Sequence, residues 1–135
     1  MVDLLNLQPT TISRDLRSKY LLIYSQPKAG KTSFAASLPN NLIFSFEIGT
    51  NALSGIYALP ITKWSELKLA VKQLEKPEVQ AKFHTVTFDT VGIAYGLCEK
   101  YICAQNGVQS ISDIPWGRGY AMVKQEFEET LRKIS

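Results

Sequence analysis

Ser25-Gln26-Pro27-Lys28-Ala29-Gly30-Lys31-Thr32 decides the reading of this chain. It follows the phosphate-cradling pattern G-x-x-x-x-G-K-[ST] at every fixed position except the first, where serine stands for glycine. The run before it, Tyr20-Leu21-Leu22-Ile23-Tyr24, is short, apolar and aromatic, which predicts a buried strand. The run after it, Lys31 to Leu38, predicts a helix ended before Pro39. Strand, loop and helix thus come in the order that a phosphate site requires. A phosphate chain needs several backbone N–H groups converging at a helix N-terminus, and Gly30 lets the backbone wrap closely. Lys31 neutralises the terminal phosphates, and Thr32 places a hydroxyl on a Mg²⁺ bridging the β- and γ-phosphates. The expected nucleotide contacts are therefore Ser25, Gln26, Pro27, Lys28, Ala29, Gly30, Lys31, Thr32 and Ser33. Ser25 sits where a tight turn is needed, which serine meets at some strain. A chance Gly-Lys-Thr in an ordinary turn is the competing explanation, and the flanking strand and helix argue against it.

The chain has 135 residues, 45% of them hydrophobic, enough for one core and one domain spanning 1–135. Residues 1–15 are expected to be extended or poorly ordered. A net charge of +3 permits contact with nucleic acid without arguing for it. The opening segment has no basic region followed by a long apolar run, and no stretch reaches the roughly eighteen apolar residues of a membrane span. The expectation is a soluble, cytoplasmic protein with no membrane partner. Cys98 and Cys103 are the two cysteines, and five positions apart on a helix they point to different faces, as reduced core residues. With His84 as the single histidine, there is no metal-ligand cluster and no Ser-His-Asp set.

Further along, Asn41 to Phe46 reads as a strand that delivers Glu47 to its carboxyl end, where a carboxylate faces the phosphates. Ile56 to Leu59 forms a short strand before Pro60. Trp64, Leu67, Val71 and Leu74 share one face of a helix running to about Lys76, with Lys68, Lys72 and Lys76 opposite, a solvated row interleaved with Glu66 and Glu75. Thr85-Val86-Thr87-Phe88-Asp89-Thr90 is a strand ending abruptly in a carboxylate. Asp89 either caps the helix expected over Val91 to Ala104 or holds Mg²⁺ opposite Thr32, and the phosphate loop upstream favours magnesium. A polar loop from Gln105 to Asp113 precedes Trp116-Gly117-Arg118-Gly119-Tyr120 and a last helix with Val123, Phe127, Leu131 and Ile134 on one side. A parallel sheet flanked by helices usually has about five strands. Only three or four are legible, so a C-terminal part is expected to be missing.

Together these motifs, spanning about Leu16 to Ile134, resemble the RecA-like branch of P-loop ATPases. They are most similar to the small phage-encoded AAA-family ATP-binding proteins of replication and recombination modules. The resemblance rests on the loop Ser25 to Thr32, the strand end Phe46-Glu47-Ile48-Gly49 with Asn51-Ala52-Leu53, the strand Val86 to Thr90, and Trp116 to Tyr120. It implies a three-layer α/β/α fold with a mainly parallel sheet, truncated at its C-terminus. It implies ATP and Mg²⁺ as cofactors, the host cytoplasm as location, single-stranded DNA as a partner, and a homo-oligomer with nucleotide between subunits. In such enzymes a glutamate at the position of Glu47 polarises the water that attacks the γ-phosphate, making Glu47 and Lys31 the catalytic candidates; a loop glutamate capping the next turn is the plainer alternative. The loop before the last helix corresponds to a DNA-facing loop, so Trp116 and Arg118 become candidates for base stacking and phosphate contact. Trp116 equally suits a plug against the sheet edge.

The leading function is therefore a Mg²⁺-dependent, RecA-like ATPase acting on single-stranded DNA in phage recombination or replication. A small-molecule kinase needs a lid carrying arginines, and Arg118 is the single arginine between Arg17 and Arg132. A GTPase is disfavoured because no Asn-Lys-x-Asp segment reads guanine. A non-hydrolysing partner-binding module stabilised by nucleotide stays open.

Overall fold

Asn41-Leu42-Ile43-Phe44-Ser45 and Thr85-Val86-Thr87-Phe88-Asp89 carry β-branched and aromatic residues in near-alternation with small or polar ones, and they pair side by side. The computed structural model describes residues 2–11, 20–26, 30–47 and 55–134. In it these runs are β1 (Asn41–Ser45) and β3 (Thr85–Asp89), with β2 (Tyr57–Pro60) on the other flank of β1. The order is β2-β1-β3 and both pairings are parallel, with Phe44 opposite Phe88 and Ser45 opposite Asp89. The helices are α1 (Lys31–Ser37), α2 (Trp64–Leu74), α3 (Pro77–Lys82), α4 (Val91–Gln105) and α5 (Arg118–Ile134). A parallel α/β architecture is thus present. α3, opened by Pro77 at its first turn, is a helix that the sequence reading did not separate from the one before it.

The pleat sends alternate side chains of the sheet to opposite faces. On one face Phe44, Phe46 and Phe88 join Trp64, Leu67, Val71, Ala94, Cys98, Ile102 and Val123 in the main core. Phe88 packs edge-on against Phe44 with ring centroids 5.6 Å apart, and lies 5.5 Å from Phe46. The predicted inner face of α2, Trp64, Leu67, Val71 and Leu74, is buried in full. Cys98 and Cys103 are both buried and unpaired, as expected. Burial, the largest influence on Cys98, pushes its thiol up to about 12, which keeps it protonated and unreactive.

On the other face Asn41 ties three elements together. Its side-chain amide donates to the carbonyl of Ala35 in α1 at 2.7 Å, and its oxygen accepts from the hydroxyl of Thr87 in β3 at 2.8 Å. Asn41 is 5% exposed, so both bonds are made away from water, where an unmet polar group is costly.

Two expectations are corrected here. Tyr20 to Tyr24 is not a buried strand: it pairs with no strand among the described residues, and its five side chains are 47–87% exposed. Lys68 is not part of a solvated lysine row. Its ammonium lies 3.0 Å from Glu126 of α5, donates to the Tyr101 hydroxyl at 3.2 Å and sits over the Tyr101 ring. Glu126 also accepts from the indole N–H of Trp64 at 3.0 Å, so one carboxylate joins α2 to α5. The misreading arose because a cation at helical spacing looks alike whether it meets water or a partner from elsewhere in the chain. Lys72 and Lys76 are exposed as expected.

Burial by itself raises the Glu126 carboxyl. The hydrogen bonds from Trp64 and Lys68, with the charges of Lys68 and Lys133, outweigh it and hold the group below its ordinary 4.5. A carboxyl lowered on folding stabilises the fold above its unfolded value and loses that contribution as pH falls through the folded one. Resistance of the wild type to urea is therefore expected to fall on acidification below about pH 4.5, and Glu126→Gln to flatten that slope while keeping an acceptor for Trp64. Equal slopes in the two proteins would assign the acid sensitivity to other carboxylates. Asn41→Leu is expected to cost about 1–3 kcal/mol in the same assay, by stranding the Thr87 hydroxyl and removing one partner of Ala35. A loss under about 0.5 kcal/mol, the range of an uninvolved surface change, would show that water replaces the clamp.

Candidate functional site

Gly30 opens α1 with φ 105° and ψ 15°, a left-handed conformation that strongly favours glycine. A Cβ built there would meet no protein atom within 4 Å, so the backbone angle, rather than crowding within the chain, is what calls for glycine. Lys31 is the first residue of α1, and its ammonium donates to the carbonyl of Ser25 at 3.5 Å. Ser25 and Gln26 are exposed, and the Ser25 hydroxyl donates to the carbonyl of Gln26. Ser33 lies exposed in the first turn of α1. Pro27, Lys28 and Ala29 lie outside the described residues, as does the Thr32 side chain.

The carboxylates come from the neighbouring strands. Ser45 and Asp89 are register partners at the carboxyl ends of β1 and β3, and the N–H of Phe46 donates to the Asp89 carbonyl at 2.7 Å. Glu47, two residues beyond Ser45, is exposed at this edge. Its carbonyl accepts from the Ser45 hydroxyl at 3.0 Å, and its carboxylate accepts from the Thr90 hydroxyl at 3.5 Å. Parallel pairing therefore brings Glu47 and Asp89, separated by more than forty residues of sequence, to one edge of the sheet. Asp89 is half-buried there. The helix after it is capped by Thr90 in extended conformation with no side-chain cap, so Asp89 is not the N-cap residue of α4.

α1 belongs to this edge by connectivity. Its C-terminal end returns through Leu38–Asn40 to the amino end of β1, and the Asn41 bond to Ala35 holds it along the sheet. A helix running back against its following strand points its N-terminal residues, Gly30 and Lys31, towards the strand's carboxyl end. Basic loop residues and two carboxylates with hard oxygen donors suit a phosphate chain and Mg²⁺, an ion usually held by one or two carboxylates plus phosphate oxygens. Among the described residues no cluster of three or more His, Cys, Asp or Glu could hold a metal by itself.

The second predicted region stands elsewhere. Trp116 is 92% exposed, which overturns a plug against the sheet edge. It holds φ 64° and ψ 23°, a region a bulky side chain rarely visits. The turn is pinned from beneath: Ile111 and Ile114 are buried, and a Cβ on Gly119 would come within 2.7 Å of the Ile111 carbonyl. Gly119 thus lets α5 close onto the 111–114 turn, leaving Trp116 outside with exposed Arg118. Tyr120, 62% exposed, adds a second aromatic surface that the sequence reading quoted without singling out. A hollow of about 370 Å³ is lined by Asn106, Val108, Ile114, Pro115, Arg118 and Met122.

No described helix is long and apolar enough to cross a membrane. The chain is 29% identical over 136 residues, 99% of its length, to the SPbeta prophage-derived uncharacterized protein YorG of Bacillus subtilis (strain 168), and it covers 42% of that relative. It thus spans about two fifths of the relative it matches. No solved structure matches it. A family model described as an AAA domain matches residues 17–135, nearly the whole chain, and this places the protein in the AAA domain family of nucleotide-binding P-loop ATPases.

Proposed function

We propose that this chain binds ATP with Mg²⁺ and hydrolyses it as a RecA-like ATPase acting on single-stranded DNA in phage recombination or replication. The observation that carries the reading is the meeting of Glu47 and Asp89 at the carboxyl ends of adjacent parallel strands. Lys31 and the loop from Ser25 to Ser33 hold the phosphates. Asp89 and Thr32 would hold Mg²⁺, which would supply charge stabilisation to the transferring phosphoryl group. Glu47, exposed and anchored through Ser45 and Thr90, orients a water in line with the γ-phosphate and accepts its proton. The prophage origin of the similar Bacillus protein supports a phage setting.

Trp116, Arg118 and Tyr120 supply the DNA contact. A tryptophan turned out to solvent in a left-handed conformation next to an arginine offers a flat face for a base and a fork for a phosphate.

Lys31→Ala is expected to weaken ATP binding at least about tenfold, by loss of a charge-assisted phosphate contact; unchanged affinity in a fluorescent-nucleotide titration would remove the loop from the site. Glu47→Gln is expected to keep ATP affinity and lower turnover about 100-fold or more, as befits a lost general base. Full turnover in that variant would return Glu47 to a structural role. Trp116→Ala is expected to weaken binding of a labelled oligothymidine by about 1–3 kcal/mol, roughly 5- to 150-fold, with ATP affinity in the absence of DNA unchanged. Undiminished DNA affinity would assign the exposed tryptophan to another partner.

A further inference from the structure

α4 ends in a tightly specified turn. The N–H of Gly107 donates to the Ala104 carbonyl at 3.3 Å and that of Val108 to the Cys103 carbonyl at 3.0 Å, with Gly107 at φ 65°, the left-handed closure that glycine favours. Further on, the N–H of Ile114 donates to the Ile111 carbonyl at 3.1 Å, and both side chains are buried. The hollow of about 370 Å³ lies among these fixed points. Buried Ile114, half-buried Val108 and Met122, and Pro115 give it apolar walls, and exposed Asn106 and Arg118 are its two polar residues. An apolar cleft with a few polar groups is the usual form of a ligand site, and this volume is near the small end of the range.

We propose that this hollow receives one unpaired base of single-stranded DNA, with Arg118 on the adjoining phosphate and Asn106 on the edge of the base. The proposal rests on the DNA reading above and adds to it a site that reads the base. Arg118 makes no ion pair or hydrogen bond among the described residues, so its guanidinium is available to an anion. No acidic residue lines the hollow to compete for it. Trp116, 92% exposed, stands in the chain between Pro115 and Arg118, which both line the hollow. A single strand carries ring, phosphate and ring in succession, and unstacked bases are recognised by such pockets and aromatic faces. An apolar protein side chain would fill the same walls but leave Arg118 without a counter-charge.

Asn106 sets which base is preferred. Its amide nitrogen donates to the Ile102 carbonyl at 2.8 Å, so what it can offer a ligand is its oxygen, an acceptor. Adenine and cytosine present an exocyclic amino group that donates to such an oxygen. Thymine presents a carbonyl in the corresponding place, and two acceptors repel. The hollow therefore favours an amino-bearing base, whereas stacking on Trp116 is indifferent to the base.

Fluorescence anisotropy of the full chain with short labelled oligodeoxycytidine and oligothymidine, at one fixed salt concentration, tests this. The wild type is expected to bind oligodeoxycytidine about fivefold more tightly, and Asn106→Ala to remove that difference. Met122→Trp fills the hollow and is expected to weaken binding of oligodeoxycytidine about fivefold or more, with a thermal melt by circular dichroism reporting an intact fold. Equal affinity of the wild type for the two oligonucleotides would overturn the proposal, whether or not Met122→Trp folds. So would a preference that survives Asn106→Ala, or undiminished binding by folded Met122→Trp. Trp116→Ala separates the two readings: weaker binding in it, with no effect of Met122→Trp, keeps the DNA contact and sinks the base site alone, while a wild type that binds neither oligonucleotide sinks both.

Discussion

The structure hangs on Asn41. One amide, buried at the first residue of β1, donates to the backbone of α1 and accepts from a side chain of β3, so a helix and two strands share a single fixed point. The register of β1 against β3 follows from it and from the opposed phenylalanines on the other face. Slippage by one residue would turn Asn41 into the apolar core and bring Phe44 to the polar side, so side-chain chemistry enforces the pairing more than the backbone ladder does. The position of Asp89 beside Ser45 and Glu47, and thus the geometry of the candidate site, is inherited from that register.

The far side of the sheet is organised by a different kind of constraint. Glu126 receives Trp64 and Lys68, and Lys68 continues to Tyr101 and its ring, linking α2, α4 and α5 through half-buried polar contacts. Stacking of Trp64 on Phe127 and the edge contact of Tyr95 with Phe127 fill the space between the same helices. These contacts fix the rotation of α5. Because Trp116 and Arg118 sit at the start of that helix, over a turn that only Gly119 allows to close, the network sets how the exposed aromatic surface is presented. The candidate site at one edge of the sheet and the exposed aromatic surface at the start of α5 are thus carried by separate parts of one fold.

The sequence was a good guide where a signal is local. The spacing of Trp64, Leu67, Val71 and Leu74 gave α2, and β-branched alternation ending in Asp89 gave β3, since helix and strand periods are properties of a few neighbouring residues. It misled where a residue's fate depends on distant partners. Lys68 resembled Lys72 until Glu126 and Tyr101 were brought to it. Trp116, flanked by proline and glycine, suited a plug or a platform, and the packing of α5 on Ile111 and Ile114 turned it outward. Apolar character in Tyr20 to Tyr24 announced a strand, while pairing depends on an edge that composition does not specify.

By itself, then, the amino-acid sequence determined the phosphate-loop pattern, helix α2, strands β1 and β3, and the chemical groups at the strand ends, because these depend on side-chain identity and short-range periodicity. Only the tertiary structure decided that Glu47 and Asp89 share an edge, that Lys68 is held by Glu126, and that Trp116 faces solvent. Each of those outcomes requires chain segments far apart in sequence to meet. The free energy that selects such a meeting comes from burial and hydrogen bonding between them, and no local pattern contains it.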